Sequence, residues 1–475
     1  MRRVGTVLAA LLVAALLATA CGASGEGSTG SEDGTSTTGA ESAAPADDAD
    51  FGDLEAPCGP GELTVEASEA GRGTDKLHIG VGNDRTSSLR PGLQKTIWDA
   101  SVAFVEWCNA QGGIEGLEIE LVDLDGGVVA VEAAMTTACE GVFAMVGGGY
   151  AMDNLEFSGK DGSDFHKCGL IDIPGFAVSV EKSLSNGQVQ PLPNPTNAKG
   201  TQWITDLQEL YPEESKNAVV VYSKDLPSLE AIKVQWEVLT EHVGGIENAE
   251  PIAYPLVVTD WGPYADRVID SGATTLFWIG EPGNAASLMR ALKEKQWDGV
   301  FITESNIYDD VFIDNARSAA DGILVRLAFH PFEEADQWPA VQQYLDNLEE
   351  HVPNGKAALL GMQGTSAFLL FSVAAKACAE KNDGVIDRTC VLEEAMAVED
   401  WTAGGMHAPT NPGVEDPVVC GMFVTVEDGK WTRRYPEIGG EADDYNGFHC
   451  PEDSIVKVPD DRVPGKGAVD PDREI

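Results

Sequence analysis

The residues Asn109-Ala-Gln-Gly-Gly-Ile-Glu-Gly116 join a predicted helix to a predicted strand, and this junction decides the fold. The helix covers residues 97–111, where apolar and small side chains recur along one face. Gly112 and Gly113 end it, because glycine readily follows the last helical turn. A strand at residues 118–123 comes next. The junction is therefore half of a strand–helix–strand unit.

This alternation continues along the chain and then starts a second time. The first series adds strands at 76–80, 143–146 and 170–173 and a helix at 128–139. The second has strands at 218–222, 251–254, 274–279 and 300–303, with helices at 228–242, from about 263, and at 283–295. Such alternation predicts parallel sheets. Because the Pro- and Asn-rich residues 191–197 separate the series, we predict an α/β protein of two Rossmann-like lobes.

Two later segments complete the predicted body. Residues 362–379 form a long apolar run that predicts a helix packed inside one lobe. A hairpin is predicted around Asp428 and Gly429, a pair of residues that suits a tight turn.

Five short motifs occur in an order and spacing typical of one family. Besides the junction above, they are Val146-Gly-Gly-Gly-Tyr150, Asp172-Ile-Pro-Gly-Phe-Ala-Val-Ser179, Thr259-Asp260 before Pro263-Tyr264, and Asp428-Gly429-Lys430. Together they resemble type I periplasmic binding proteins, and more narrowly the branched-chain amino-acid class of ABC-transporter substrate-binding lipoproteins. The resemblance covers about residues 76–435. It implies two lobes, joined by three hinge strands, that close over a small solute.

Composition and resemblance together predict the domain boundaries. We expect a signal peptide at 1–20 and a lipidated N-terminus with a disordered acidic tether at 21–75. The first lobe is expected from 76–190 and 330–415, and the second from 191–329 and 416–436. An acidic tail rich in Pro and Gly follows at 437–475.

Loops at the carboxyl ends of the strands are the candidate ligand contacts. Ligands of open parallel sheets bind there, near helix N-termini that favour anionic groups. The candidates in the two lobes are Asn83, Arg85, Gly149, Tyr150, Ala177 and Ser179, then Glu281, Glu304 and Ser305. The resemblance implies that Gly149–Tyr150 and residues 177–179 hold a ligand carboxylate. It also implies an aromatic contact at about Glu281 and an acid for a ligand ammonium at Ser305, so Glu304 is displaced by one residue.

Simpler roles remain open for most of these positions. Residues 147–149 also fit a tight turn, Ser179 a helix N-cap, and Arg85 a surface cation. Glu281 and Glu304 also fit solvated loop acids, and Tyr150 fits packing at a lobe edge. The ligand therefore stays open among amino acids, amides and related polar solutes.

The first residues predict export. A short basic start and an apolar run at 4–17 precede small residues and then Cys21, which resembles a bacterial lipobox. Cleavage near Ala20 without lipid and an uncleaved anchor are the alternatives, although the run is shorter than the about 20 residues of a spanning helix. Residues 22–50 contain no aromatic residue and predict a disordered tether.

The cysteine count agrees with export. Nine cysteines leave eight when Cys21 carries lipid, and an even number in an exported chain suggests disulfides. Cys378 with Cys390 is a plausible local pair, and Cys420 with Cys450 would fasten the C-terminal tail. The pairing of the other four stays open.

Charge and motif content argue against other function classes. The chain has 31 basic and 78 acidic side chains, a net charge of −47, which disfavours nucleic acid or an anionic membrane surface as a partner. It contains no C-x-x-C, G-x-S-x-G or H-E-x-x-H motif. Residues 123–126 begin like a calcium loop but lack its later ligands. We therefore expect no enzyme, no cofactor and no metal.

The sequence favours a monomeric receptor, lipid-anchored on the outer face of the cytoplasmic membrane, that delivers a small polar solute to ABC permease subunits. The alternative is a ligand sensor that regulates a membrane partner without transport. Fold alone does not separate the two, because one fold hosts several functions.

Overall fold

The computed structural model describes residues 49–154, 165, 168–414 and 416–469. The predicted signal peptide, Cys21 and the predicted tether up to residue 48 lie outside the described residues. The described chain is built on two sheets, which define a first and a second lobe.

The first sheet has four parallel strands, in the spatial order Ile119–Asp125, Leu77–Asn83, Ala144–Val146 and Asp172–Ile173. Leu77–Asn83 is buried along its whole length, as a central parallel strand must be when helices cover both faces. The helices of this lobe are Lys95–Ala110, Val131–Gly141, Val180–Ser183, Pro339–His351, Leu359–Lys381 and Arg388–Met396.

The second sheet has eight strands. Across the sheet they are Lys430–Tyr435, Met422–Glu427, Ile323–Leu327, Val300–Thr303, Thr275–Ile279 and Asn217–Ser223, with Glu247–Asn248 and Ile252–Tyr254 both paired to the last of these. Its helices are Gln202–Leu210, Glu230–Val243, Gly262–Asp270, Pro282–Glu294 and Asp310–Ala316.

The strands of the second sheet run parallel except for the predicted hairpin, whose two strands are antiparallel. Asp428 and Gly429 both adopt a positive φ, 52° and 75°, which a two-residue hairpin turn requires. The predicted α/β fold with two parallel-sheet lobes is confirmed.

Leu359–Lys381 is, among the described residues, the one helix long and apolar enough to cross a membrane. Most of it is buried inside the fold, against the helices Lys95–Ala110 and Arg388–Met396. It is therefore the core helix of the first lobe that the apolar run at 362–379 predicts.

Three segments connect the lobes and contact one another, and we call them the hinge: residues 191–197, 328–331 and 406–421. Phe329 and His407 form an antiparallel bridge between the second and third segments. The Thr410 hydroxyl donates to the carbonyl of Pro191 at 2.6 Å and so joins the third segment to the first. A movement of one lobe against the other must bend all three.

The predicted tether is too long, because the chain is already packed on the first lobe from Phe51. The Phe51 ring is fully buried, 5.4 Å from the ring of Trp107. Further on, Cys58 is bonded to Cys108, and the strand Thr64–Val65 pairs with Val385–Ile386. The few apolar residues here have neither a helical nor a strand period, so the sequence pattern gave no sign of their burial.

The C-terminal tail is also more ordered than its composition predicts. The strand Ile455–Lys457 pairs antiparallel with Ala198–Gly200 of the second lobe, and Phe448 is fully buried. The amide of Ala468 donates to the carbonyl of Glu181 at 3.0 Å, so the tail also reaches the first lobe.

Four disulfides join the eight described cysteines. Two are the pairs named from the sequence, Cys378–Cys390 and Cys420–Cys450. The other two, left open above, are Cys58–Cys108 and Cys139–Cys168. Cys420–Cys450 holds the tail beside the hairpin strand that begins at Met422.

Candidate functional site

A cleft of about 640 Å³ lies between the lobes, at the carboxyl ends of both parallel sheets. First-lobe loops at 90–96 and 176–178 form one wall, and second-lobe loops at 280–283 and 304–306 form the other. This is the position at which open α/β sheets bind ligands, because strand ends and helix N-termini converge there.

Apolar atoms dominate the surface of the cleft. The larger apolar side chains of its two walls are Leu93, Phe176 and Leu360 in the first lobe and Leu226, Leu229, Ile232, Leu256, Trp278 and Ile279 in the second. A cleft of this size with a mostly apolar surface suits a solute with a substantial apolar body.

At its hinge end the cleft continues into a recess of about 90 Å³, which we call the hinge recess. All three hinge segments line it, through Leu192, Ala328 and Val418 among others. Its lining includes three ionisable side chains among the described residues, Lys199, Glu304 and Arg326.

The three charged side chains of the hinge recess contact one another. Lys199 Nζ lies 3.5 Å from Glu304 Oε1 and donates to Asn194 Oδ1 at 2.8 Å. Arg326 Nη1 lies 3.4 Å from Glu304 Oε2. The side chain of Lys199 is 6% exposed, that of Glu304 17% and that of Arg326 15%. The recess is thus a largely desolvated site with two cations and one carboxylate.

Burial and neighbouring charge shift the protonation equilibria of this cluster. Burial lowers the pKa of Lys199 to about 8, with Arg326 acting in the same direction and Glu304 opposing both. Burial would raise the pKa of the Glu304 carboxyl, but Lys199 and Arg326 outweigh it and hold that pKa below its usual value. Glu304 is therefore ionised at neutral pH.

A second charged pair spans the lobes away from the recess. Arg90 of the first lobe places Nη2 3.3 Å from Glu281 Oε1 and donates to the carbonyl of Leu256, both in the second lobe. Glu281 also caps the helix Pro282–Glu294, accepting from the amides of Gly283 at 2.6 Å and Asn284 at 2.9 Å. Burial raises the pKa of Glu281, with Arg90 and the two amides opposing that shift.

Four of the positions predicted from the sequence line the cleft: Ala177, Glu281, Glu304 and Ser305. Neither Glu281 nor Glu304 is a solvated loop acid, because both are largely buried and paired with cations of this chain. A ligand ammonium would have to compete with those cations for either carboxylate.

The other predicted positions do not line the cleft: Asn83, Arg85, Gly149, Tyr150 and Ser179. Arg85 donates to both carboxylate oxygens of Asp123, at 2.6 and 2.5 Å. The amide of Asn83 donates to the same carboxylate at 3.0 Å. Arg85 and Asn83 therefore hold the loop after the first strand, and Arg85 is not a free surface cation.

Gly149, Tyr150 and Ser179 also have contacts within the first lobe. A Cβ atom on Gly149 would stand 2.4 Å from the ring of Phe176, so that ring covers the glycine. Tyr150 is fully buried and donates to the carbonyl of Leu124 at 2.8 Å. Ser179 Oγ caps the helix Val180–Ser183 by accepting from the amide of Lys182. These three residues therefore have structural contacts within the first lobe, and none of them lines the cleft.

Sequence reasoning missed Arg90, Lys199 and Arg326. Arg326 did leave a signal, because it is the one charged residue in the otherwise apolar run at 323–329. A lone charge on a buried strand indicates a paired or functional group. Arg90 and Lys199 lie in stretches with no periodic pattern, and only the fold brings them to the cleft.

Comparison with known proteins agrees with this architecture. The sequence model of the periplasmic binding protein family matches residues 76–430. No curated protein matches the chain in sequence.

Solved structures of similar fold share little sequence with the chain. A fatty acid ABC transporter substrate-binding protein from Thermomonospora curvata is 16% identical, with a TM-score of 0.62. The alignment covers 82% of this chain and 97% of that protein's chain. A leucine-binding protein from Thermotoga maritima is 15% identical, with a TM-score of 0.58, covering 76% and 98%. A branched-chain amino acid transporter substrate-binding protein from Streptococcus pneumoniae, solved with isoleucine, is 15% identical, with a TM-score of 0.57, covering 76% and 100%.

These likenesses show the fold, while the match over residues 76–430 covers most of the chain and shows the family. The resemblance drawn from the five motifs is thereby confirmed, and with it the two-lobe architecture. The chain belongs to the periplasmic binding protein family.

Proposed function

We propose that this chain is the solute-binding subunit of an ABC importer, exported and anchored by lipid at Cys21, and that it captures a small solute between its lobes. The observation that supports the proposal most strongly is the cleft of about 640 Å³, walled by both lobes at the strand ends. The family works outside the cytoplasm, and the structural relatives are named as ABC-transporter substrate-binding proteins.

The chemistry of the cleft narrows the solute. Its walls are mostly apolar, and several of its charged groups are already paired within the chain: Arg90 with Glu281, Lys95 with Asp99, and Lys199 with Glu304. The names of the structural relatives include fatty acid, leucine and isoleucine, each of which has an apolar body and a carboxyl group. We propose a solute of that general kind, an amino acid or a related acid with a sizeable apolar part.

Capture would work through closure of the lobes. Arg90 contacts Glu281 and Leu256 only when the two walls approach, so these contacts belong to a closed arrangement. A solute that touches both walls binds that arrangement better than a separated one, and the difference in affinity drives closure. The closed form would then dock on the permease.

A thermal-shift screen tests the binding proposal. The chain from residue 22 onward would be screened against amino acids, amides, polyamines, aromatic acids and straight-chain acids. A binder present at 100 times its Kd should stabilise the protein by roughly 2.7 kcal/mol. If no compound of any class raises the unfolding midpoint, solute binding by this cleft is contradicted.

The anchor is tested separately. Replacing Cys21 with Ser should move the full-length protein from the membrane fraction to the soluble fraction. A Cys21→Ser protein that stays with the membrane would contradict the lipid anchor and favour an uncleaved apolar segment.

A further inference from the structure

We propose that Lys199 and Arg326 form an anion site that holds the carboxylate of the solute in the hinge recess. This inference rests on the proposed solute-binding function and adds to it which end of the solute lies where. The apolar body of the solute would then extend from the recess into the main cleft.

The charge balance of the hinge recess is the first argument. Its described lining has two cations and one carboxylate, so it carries an excess positive charge in a largely desolvated place. Arg326 Nη1 is buried and makes no hydrogen bond to any described residue, and its contact with Glu304 is a looser one of 3.4 Å. A buried charge of this kind is costly unless an anion and hydrogen bonds offset it.

The size and connection of the recess are the second argument. A volume of about 90 Å³ accommodates a carboxylate group or a few waters. Phe176, Ala177 and Ser305 line both the recess and the cleft, so one molecule can occupy both. Arginine and lysine are also the side chains best suited to a carboxylate, through charge-assisted hydrogen bonds.

The position of the site reverses the orientation that the resemblance implies. That resemblance puts the ligand carboxylate near Gly149 and Tyr150, but the Phe176 ring covers the first and the second is fully buried. The resemblance also implies that an acid of the second lobe pairs with a ligand ammonium. In this structure that acid, Glu304, is held between Lys199 and Arg326. Unused donor capacity is therefore present at the hinge end, at Arg326 Nη1, where all three hinge segments meet.

Matched pairs of acids and amides test the site by calorimetry. The pairs are acetate and acetamide, butyrate and butyramide, octanoate and octanamide, and phenylacetate and phenylacetamide, with leucine as a zwitterion. We expect at least one of the longer acids to bind, and to bind at least tenfold more tightly than its amide. If no acid binds more tightly than its amide, the inference is overturned. A non-acid found by the thermal screen would then contradict the proposed acid solute but leave the proposed solute-binding role standing. If nothing binds in either experiment, the proposed function fails as well.

Acetate separates a solute carboxylate from a small free anion. If acetate binds as tightly as the longer acids, the recess is a site for free anions, and the claim that it holds part of a larger solute is wrong. Much weaker binding of acetate supports the proposal, because the apolar body then adds its own contribution.

Substitutions locate the site. Lys199→Met and Arg326→Met should each weaken binding of the preferred acid about ten- to a hundredfold and change binding of its amide by less than threefold. Arg326→Lys should recover part of the loss. Lys295→Met is the matched control, because Lys295 pairs with Asp266 outside the cleft and should leave acid affinity unchanged. Acid affinity within threefold of wild type in both Met variants overturns the inference.

The variant Glu304→Gln should change solute affinity in opposite directions, depending on whether the ligand carboxylate or the ligand ammonium lies in the hinge recess. If Lys199 and Arg326 hold the ligand carboxylate, removing their resident acid should tighten acid binding at least threefold. If Glu304 holds a ligand ammonium, the same change should weaken binding of leucine. Because the glutamine keeps the shape of the side chain, a melting curve that matches wild type shows that the fold is intact.

Discussion

The two carboxylates of the cleft, Glu281 and Glu304, differ in what holds them. Glu281 lies between two backbone amides and Arg90, and the arginine belongs to the opposite lobe. Glu304 is held by Lys199 and Arg326. All three residues lie on the hinge side of the second lobe. Separation of the lobes breaks the first arrangement and leaves the second in place. One cluster therefore responds to closure, while the other is formed before closure.

The protonation of the two carboxylates follows the same division. Burial prevails at Glu281, whose pKa is raised in spite of Arg90 and the two amides. The two cations prevail at Glu304, whose pKa is lowered in spite of burial. Glu304 thus depends on its cations for its charged state, whereas Glu281 has amide partners that remain when Arg90 leaves.

The largest expected effect is on stability, in the double variant Lys199→Met with Arg326→Met. It leaves Glu304 buried without a cation, and stranding one partner of a buried ion pair costs about 3–5 kcal/mol. We expect the free energy of unfolding, measured by urea titration, to fall by about that amount. Adding Glu304→Gln to the double variant should recover most of the loss, because no charge is then stranded.

If Arg90→Met lowers the free energy of unfolding as much as the double variant does, the two clusters are equivalent structural pairs. The distinction between a closure contact and a preformed site would then be wrong.

A smaller effect is expected from Arg90→Met, on closure. The change removes an ion pair and a hydrogen bond to Leu256 that join the lobes. Glu281 keeps its amides, and the Leu256 carbonyl still accepts from Asn284 at 3.1 Å. We expect solute affinity to fall about tenfold, a loss of about 1.4 kcal/mol, with the free energy of unfolding changed by less than 1 kcal/mol.

Small-angle scattering provides the second measurement for Arg90→Met. The radius of gyration of the solute-free variant should exceed that of wild type, and saturating solute should bring the two values together. Arg90→Lys is the conservative control and should lie between them. Equal values for wild type and Arg90→Met without solute would contradict the role of Arg90 in closure.

The fold was largely predictable from the sequence, because it depends on a repeated pattern. Strand–helix alternation placed both sheets, and the turn at Asp428 and Gly429 placed the hairpin. The packed segment after Phe51 and the strand Ile455–Lys457 were not predicted. Their few apolar residues become buried only against surfaces formed by distant parts of the chain.

The site was predictable only where it follows a strand end. Glu281 and Glu304 come directly after strands, so their place in the cleft followed from topology. Their cation partners did not, since Arg90 is 191 positions from Glu281 and Lys199 is 105 positions from Glu304. Pairing between charges so far apart depends on the tertiary fold, which no local pattern records.

The last expected effect is a pH dependence of acid affinity. It arises from the titration of one group, the Lys199 ammonium, in the cluster around Glu304. The ammonium of Lys199 has a pKa of about 8, and it is faced by the Arg326 guanidinium and by Glu304, whose carboxyl stays ionised near that pH. An acid binds the charged form of Lys199, so its affinity should be full below pH 8 and fall as pH rises through 8. A decrease of up to about tenfold between pH 7 and 9 is expected.

The Lys199 ammonium should also make the free energy of unfolding depend on pH, but in the direction opposite to acid affinity. Two opposite trends from one group would identify Lys199 as the residue that titrates. A lysine in the unfolded chain has a pKa of about 10.4, so from about pH 8 to 10 the unfolded state binds more protons at this position. The contribution of Lys199 to the free energy of unfolding therefore rises over that range while acid affinity falls. Lys199→Arg, charged throughout, should remove both trends and leave the Arg90 contacts untouched. Calorimetry at pH 7, 8 and 9 measures the affinity, and an affinity that stays constant in wild type would mean that Lys199 does not contact the solute carboxylate.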